Sequence, residues 1–271
     1  MDTRFWGPSG WLFLHQITFA YEPATKKQSV SQLFKTLPYV LPCKFCRASL
    51  TEYMKEDPVE PALQSKERLT EWLWRIHNQV NAKLRNQGQT IGPDPSFASV
   101  NQYYEQSLAS GCTQTIFPGW EFLFSIAENH PFSAQSRKST PMPDAPPRVS
   151  GMKLEDLNEF NLLSPQERYS LYRQFWLAIS DSLPYMQWTT LWRQSAKQAH
   201  LTSAIRSRKR LVKALWKVRC AMENAFELKN RTKFADLCFA LASHRSGCSK
   251  STRAITCRKM RERKISTRKK K

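Results

Sequence analysis

Between residues 69 and 84 the apolar side chains fall at Leu69, Leu73, Ile76, Val80 and Leu84, spacings that place all five on one stripe of an α-helix. Trp74, His77 and Asn81 form a polar-aromatic stripe beside it. A strand repeats every two residues and cannot gather that set on one face. The rest of the chain agrees: Val/Ile alternation is sparse, Gly-bounded hairpins are few, and no repeat of solenoid length is present. The predicted fold class is all-α.

The other helices follow from caps and breakers. Ser9 is placed to cap a helix with Trp11, Leu14, His15 and Thr18 on one face. A second helix contains Leu33, Phe34 and Leu37 and is expected to stop before Pro38. Pro42, tolerated in a first turn, opens a third through Cys43, Cys46, Leu50 and Tyr53. The Leu69–Leu84 stripe is the fourth. A fifth, after Pro95, aligns Phe97, Val100, Tyr104 and Leu108 and ends near Gly111. Four or five short helices imply a bundle. Further on, Ser164-Pro165 opens a helix with Tyr169, Tyr172, Phe175 and Trp176, and Thr202 to Phe226 is expected to be one long basic amphipathic helix.

An apolar content of 41% with 9 Trp points to packed structure over most of the 271 residues. From Ala134 to Val149 the chain runs through Ser, Thr, Pro141, Pro143, Pro146 and Pro147, with Pro131 just before, and is expected to be a linker. Charge is uneven. Residues 1–130 hold 12 basic and 12 acidic side chains, so the formal net charge of +20 lies beyond them. Residues 245–271 hold 12 basic residues and one acid, a composition attracted to polyanions. No apolar run is long enough to span a membrane, and the start Met1-Asp2-Thr3-Arg4 lacks a secretory profile, so a soluble chain without a membrane span is expected.

The chemistry centres on Cys43-Lys44-Phe45-Cys46. A Cys-x-x-Cys serves as a redox dithiol, half a zinc site or a structural disulfide. Zinc needs two more ligands at suitable spacing, and no second Cys-x-x-Cys or paired His motif follows, so no metal site is predicted. For redox work the position suits: Cys43 falls in a first helical turn, where unpaired N–H groups favour a thiolate, and Lys44 and Arg47 add positive charge. A thioredoxin-like frame would need strands around the motif. Electron transfer from thiols to O2 calls for a carrier of one- and two-electron steps, such as a flavin. Without a Gly-x-Gly-x-x-Gly after a strand, FAD would have to sit between helices.

Three segments then carry a resemblance. Trp6-Gly7-Pro8-Ser9-Gly10-Trp11-Leu12-Phe13-Leu14-His15, Leu41-Pro42-Cys43-Lys44-Phe45-Cys46 and His77-Asn78-Gln79-Val80-Asn81-Ala82-Lys83-Leu84 resemble, in order and spacing, the Trp-x-x-x-His, Cys-x-x-Cys and His-Asn-x-Val-Asn-x-x-Leu elements of the Erv/ALR sulfhydryl oxidases, in a version similar to those of large DNA viruses. The resemblance covers about residues 1–115. It implies a helical bundle around FAD, usually dimeric, that oxidises thiols of client proteins with O2 as acceptor. It also implies a place in the cytoplasm of an infected cell or in a virion. Cys46 would lie next to the flavin and Cys43 would exchange with an incoming dithiol. Trp11, His15, Tyr21, His77, Asn78, Asn81, Lys83 and Tyr104 match FAD-lining positions. The chain departs from the family at Trp74, where a structural cysteine is common, and it lacks a separate shuttle Cys-x-x-Cys.

The expected organisation is a sulfhydryl-oxidase-like domain over 1–115, a connecting segment over 116–150, a basic helical domain over 151–244 and a basic tail over 245–271. The rival reading is a basic protein that binds nucleic acid or a virion component, with a non-catalytic helical front half. Cys238, Cys248 and Cys257 are open to a shuttle disulfide, a metal site with His244, or plain thiols, and Cys112, without an obvious partner, to a shuttle disulfide. Cys220 reads as core.

Overall fold

The computed structural model describes residues 1–229 and 231–245, and only the backbone of Cys112 and Thr113. The expectations for Cys248, Cys257, the tail past Arg245 and the Cys112 thiol lie outside that description. The described residues form an all-α structure without strands. Five helices make the N-terminal bundle: α1 (Thr3–Phe19), α2 (Pro23–Val40), α3 (Lys44–Glu56), α4 (Lys66–Asn86) and α5 (Phe97–Ala109). Eight more follow: α6 (Trp120–Glu128), α7 (Ala134–Arg137), α8 (Leu154–Glu159), α9 (Pro165–Ser182), α10 (Met186–Gln198), α11 (Leu201–Ala204), α12 (Arg208–Ala225) and α13 (Phe234–Ser243). None of them is long and apolar enough to cross a membrane.

Local chemistry sets most boundaries. Ser65 and Ser96 cap α4 and α5 by accepting from Arg68 N–H and Ser99 N–H, both at 3.2 Å. Ser164 and Glu167 form a reciprocal capping box, with Pro165 in the first turn of α9. Each such cap is worth about 1 kcal/mol.

Four boundaries differ from expectation. α3 starts at Lys44 and not at Pro42, because Cys43 stays extended and caps the first turn with its sulfur instead of lying in it. In the other three, tertiary contacts prevail. α1 begins at Thr3 behind an Asp2 cap and runs through Pro8. Ser9 is therefore inside the helix, where its hydroxyl donates to Pro118 O at 2.6 Å and accepts from Phe122 N–H at 3.2 Å. α2 continues past Pro38 to Val40 because it lies along α9 in the most extensive helix pairing among the described residues. The Pro38 carbonyl still finds a donor in Asn158 Nδ2 at 3.1 Å. The expected helix from Thr202 to Phe226 is broken after Ala204, because Ile205 and Leu201 turn inward and His130 Nε2 contacts Ile205 O at 2.8 Å. Extended backbone at Ser207 then starts α12 afresh.

One apolar core runs through the molecule. α1 packs on α4, α5 and α6, α6 packs on α12 and α13, α2 on α3 and α9, and α8 on α3. α6 is the keystone: all of its residues except Glu121 are buried. Glu128 at its end accepts from Arg208 and Arg245. Arg219 of α12 pairs with Glu223 at 2.6 Å and lies over the rings of Trp120 and Trp216. The segment leading to α8 also packs, since Met142 is buried and its N–H bonds Phe160 O at 2.9 Å.

At Gly10 of α1 a Cβ would stand 2.9 Å from the buried Phe122 ring, and at Gly119 one would stand 2.9 Å from the Phe13 ring. Gly10→Ala is expected to destabilise the whole chain by about 1–3 kcal/mol, read as an earlier midpoint in urea unfolding. A single transition shifted as one unit is expected; an unchanged midpoint would mean that α6 does not depend on α1.

Candidate redox site

Cys43 is the N-cap of α3: its backbone is extended, with φ −143° and ψ 125°, and its Sγ accepts from Cys46 N–H at 3.4 Å. Both cysteines are half-buried thiols against the apolar core. The Cys43 thiol is lowered from its ordinary range to about 6, first by its side-chain hydrogen bond with Cys46. Burial opposes the shift; the Cys46 backbone N–H, the Met1 amino group and the Arg47 guanidinium add to it. A helix N-terminus that donates to sulfur acts in the same direction.

A second group of residues comes together from α1, α4 and α5. The Trp11 and His77 rings stack at 3.8 Å with 12° between planes, and His15 Nε2 lies 3.2 Å from His77 Nδ1. His15 stacks on Tyr104 at 5.0 Å, and Tyr104 on Phe19 at 4.9 Å. Four expected residues, Trp11, His15, His77 and Tyr104, therefore form one cluster. Phe19 was missed; its place one turn after His15 on the same helix face was the available signal.

The remaining expected residues are placed separately. Asn81 donates to Asp94 Oδ1 at 2.9 Å, and Asp94 is paired with Arg85 at 2.5 Å. Lys83 bonds the Ser49 hydroxyl and so ties α4 to the cysteine helix, Ser49 being one turn from Cys46. Asn78 is half-buried beside His77 on α4. Tyr21 is buried in the core and donates to Leu63 O at 2.8 Å, apart from the aromatic cluster. Trp74 donates from Nε1 to Pro95 O at 3.0 Å and packs on Phe97, fastening α4 to the entry of α5 without a covalent link. A cleft of about 790 Å³ between α2, α3, α8 and α9 contains neither the cysteines nor the aromatic cluster.

Whether these residues suit a flavin can be tested on their polar atoms. His15 Nδ1 and Gln79 Oε1 are buried without a hydrogen-bond partner among the described residues. Every residue of α4 from His77 to Arg85 stays half-buried, though Leu69, Leu73 and Ile76 on the preceding turns are buried. A buried unpaired polar atom costs about 1–3 kcal/mol, so His15 Nδ1, within the cluster of Trp11, His77 and Tyr104, fits a polar, planar group laid against it. Stacked Trp11 and His77 supply the matching aromatic surface.

Both histidines are neutral at neutral pH. Burial, with His77 adding to it, pushes His15 down to about 3, and burial pushes His77 down to about 4 against the attraction of Asp94. Unfolded histidines titrate near 6.5, so between that value and the folded ones the unfolded chain binds more protons. Stability is expected to be full above about pH 6.5 and to fall as pH drops toward 4. Thermal melting across this range should show the fall, and His77→Gln should flatten it; an equally steep curve in the variant would exclude His77 as a source.

A sequence model of the Erv1 / Alr family matches residues 8–102. The mitochondrial FAD-linked sulfhydryl oxidase ERV1 of Saccharomyces cerevisiae is 31% identical over 87 residues, 31% of this chain and 45% of the relative. The protein R368 of Acanthamoeba polyphaga mimivirus, named as an FAD-linked sulfhydryl oxidase, is 34% identical over 85 residues, 30% of this chain and 59% of its own. The protein 347L of invertebrate iridescent virus 6, similarly named, is 32% identical over 92 residues, 31% of this chain and 83% of its own. The chain thus spans about half the length of the first two relatives. No solved structure matches significantly. With most of the 347L protein accounted for, and the matched residues folding as α1–α5, the chain belongs to the Erv1/Alr family.

Proposed function

We propose that the protein is an FAD-dependent thiol oxidase that introduces disulfides into client proteins, with Cys43 and Cys46 as its redox pair. The observation that carries this reading is the acidic Cys43 at the N-cap of α3, with Cys46 one turn away. In the oxidised enzyme, a client thiolate attacks the Sγ of Cys43, forming a mixed disulfide and releasing Cys46 as a thiolate. The second client thiol then attacks the client sulfur, forming the client disulfide and expelling Cys43. A leaving thiol that titrates near 6 departs readily, which suits Cys43 to the exchanging role and leaves Cys46 as the sulfur facing the cofactor. FAD, when bound, accepts the two electrons and delivers them to O2 to give hydrogen peroxide.

Trp11, His15, His77 and Tyr104 would hold the planar part of that group, with neutral His15 and His77 offering ring N–H or lone pairs as its edge requires. Asn78, Asn81 and Lys83 would meet its polar edge and phosphates. Tyr21, which the resemblance matches to an FAD-lining position, donates to Leu63 O in the core. The division of labour we favour puts this chemistry in 1–115, with 116–150 and 151–244 packed around it. A homodimer, and a location in the cytoplasm of an infected cell or in a virion, rest on the resemblance to viral relatives.

The purified protein is expected to show flavin absorption in the visible range and to consume oxygen with dithiothreitol. Cys46→Ser should keep the cofactor and lose turnover. Trp11→Ala should weaken flavin retention by about 1–3 kcal/mol, the worth of one aromatic stacking partner. A colourless protein that consumes no oxygen after refolding with FAD would overturn the assignment.

A second reading concerns the basic half and is compatible with the first. On α12 the exposed Lys209, Arg210, Lys213 and Lys217 share one face, and none has a carboxylate partner among the described residues. We propose that this face binds a polyanion such as duplex nucleic acid. Replacing Lys209, Lys213 and Lys217 by Gln is expected to lower DNA affinity and reduce the slope of log affinity against log salt by about 3. An unchanged slope would remove α12 from the binding surface.

A further inference from the structure

Two cations flank the cysteines, Lys44 and Arg47, and both are held by chain from beyond the bundle. Lys44 Nζ donates to Thr140 O at 2.9 Å and lies within 3.4 Å of Pro141 O. Arg47 is only 3% exposed. It donates to Leu41 O at 3.0 Å and to Asn161 Oδ1 at 2.8 Å. The same Asn161 side chain donates from Nδ2 to Thr140 O at 2.7 Å and to Ser139 Oγ at 3.1 Å. One amide therefore bridges the guanidinium beside the redox pair and the segment that grips Lys44.

Asn161 is held in place by the backbone as well. It follows α8 in the left-handed conformation, φ 55°, with Asn161 N–H bonded to Asn158 O and Leu162 N–H bonded to Leu157 O. That pair of bonds is the Schellman ending of a helix, in which asparagine is a common alternative to glycine. The amide is thus aimed by a fixed turn, and a glycine there would keep the turn while losing the amide.

Among the described residues no carboxylate lies within ion-pair distance of Arg47. The groups that favour its charge are Cys43 and Cys46. Behind it stands another buried cation, Arg168 of α9, bonded to Asn129 O and Ser136 Oγ. Cys43 itself is faced by Cys46, Arg47 and the Met1 amino group. A buried guanidinium without an anionic partner costs several kcal/mol, about the order of a broken buried ion pair, so a purely adhesive role would be better served by an uncharged side chain. The charge is useful where a thiolate forms next to it.

We propose that residues 139–161 form a positioning strap for the redox pair: Asn161, braced by Ser139 and Thr140, keeps the Arg47 guanidinium beside Cys43 and Cys46. The readiness of Cys43 to exchange with a client thiol, set first by Cys46, is then adjusted from outside the helical bundle. The strap rests on the reading of Cys43–Cys46 as the redox pair. Arg47 and Asn161 are positioning residues; neither takes part in bond making.

The test is the pH dependence of iodoacetamide alkylation at Cys43 in the reduced full chain, read by peptide mass, alongside oxygen uptake with dithiothreitol. Asn161→Gly keeps the left-handed turn and removes the brace. Asn161→Asp keeps an acceptor for Arg47 but pairs it with a carboxylate, so it serves if the glycine variant melts early. In both, the alkylation midpoint is expected to rise from about 6 by about 0.3 pH units, slowing the reaction near pH 6 by about a third. Lys55→Gln, which cuts the α3 contacts to Asp156 and Glu159 of α8, is expected to leave that midpoint in place. An unmoved midpoint in both Asn161 variants, with turnover still lost in Cys46→Ser, would overturn the strap alone. Turnover that survives in Cys46→Ser would bring down the redox pair, and the strap's role with it.

Discussion

Burial of α6 is the constraint on which the rest of the structure depends. A nine-residue helix with eight residues buried has no solvent face, so protein must surround it. α1 covers one side and α12 and α13 another. Burying Trp120, Phe122, Leu123, Phe124 and Ile126 contributes roughly 1.5–3 kcal/mol per side chain before entropic costs, a large term beside the usual net stability of a domain. Gly10 and Gly119 are small because rings fill the space where their Cβ atoms would stand. The bundle and the basic half are thereby joined through one core, and the segment between them is the joint.

That arrangement bears on chemistry through α3. A cysteine used as a helix cap has an acceptor role already built into the fold, since its sulfur takes the N–H that a Ser or Asp would otherwise take. The same geometry favours the thiolate. The neighbouring histidines behave in the opposite sense: burial keeps His15 and His77 uncharged, so the aromatic cluster offers hydrogen bonds and flat surface without positive charge. Positive charge is concentrated on the cysteine side, at Arg47 and Lys44, and both are anchored by residues far away in sequence.

Much was legible before any coordinates. Helical periodicity identified α4 and α5, the Ser164-Pro165 start identified α9, and the three motifs pointed to the family and to a cluster of Trp11, His15, His77 and Tyr104. Three of the misplaced boundaries share one cause. Pro8, Pro38 and the residues around Ile205 are governed by distant partners: α6 for the first, α9 and Asn158 for the second, His130 for the third. Local propensity is worth a fraction of a kcal/mol per residue up to about 3 for proline, and core packing outweighs it.

By itself, then, the sequence determined the all-α class, the helix faces and the position of the cysteine pair at a helix start, because periodicity, capping and first-turn chemistry act within a few residues. Only the tertiary structure decided that α6 binds the two halves into one core, that Tyr21 packs apart from the aromatic cluster, and that Asn161 reaches Arg47. Those outcomes depend on side chains far apart in the chain meeting in space, 114 positions in the case of Arg47 and Asn161. No local pattern encodes such a meeting; it follows from which apolar faces can be buried together.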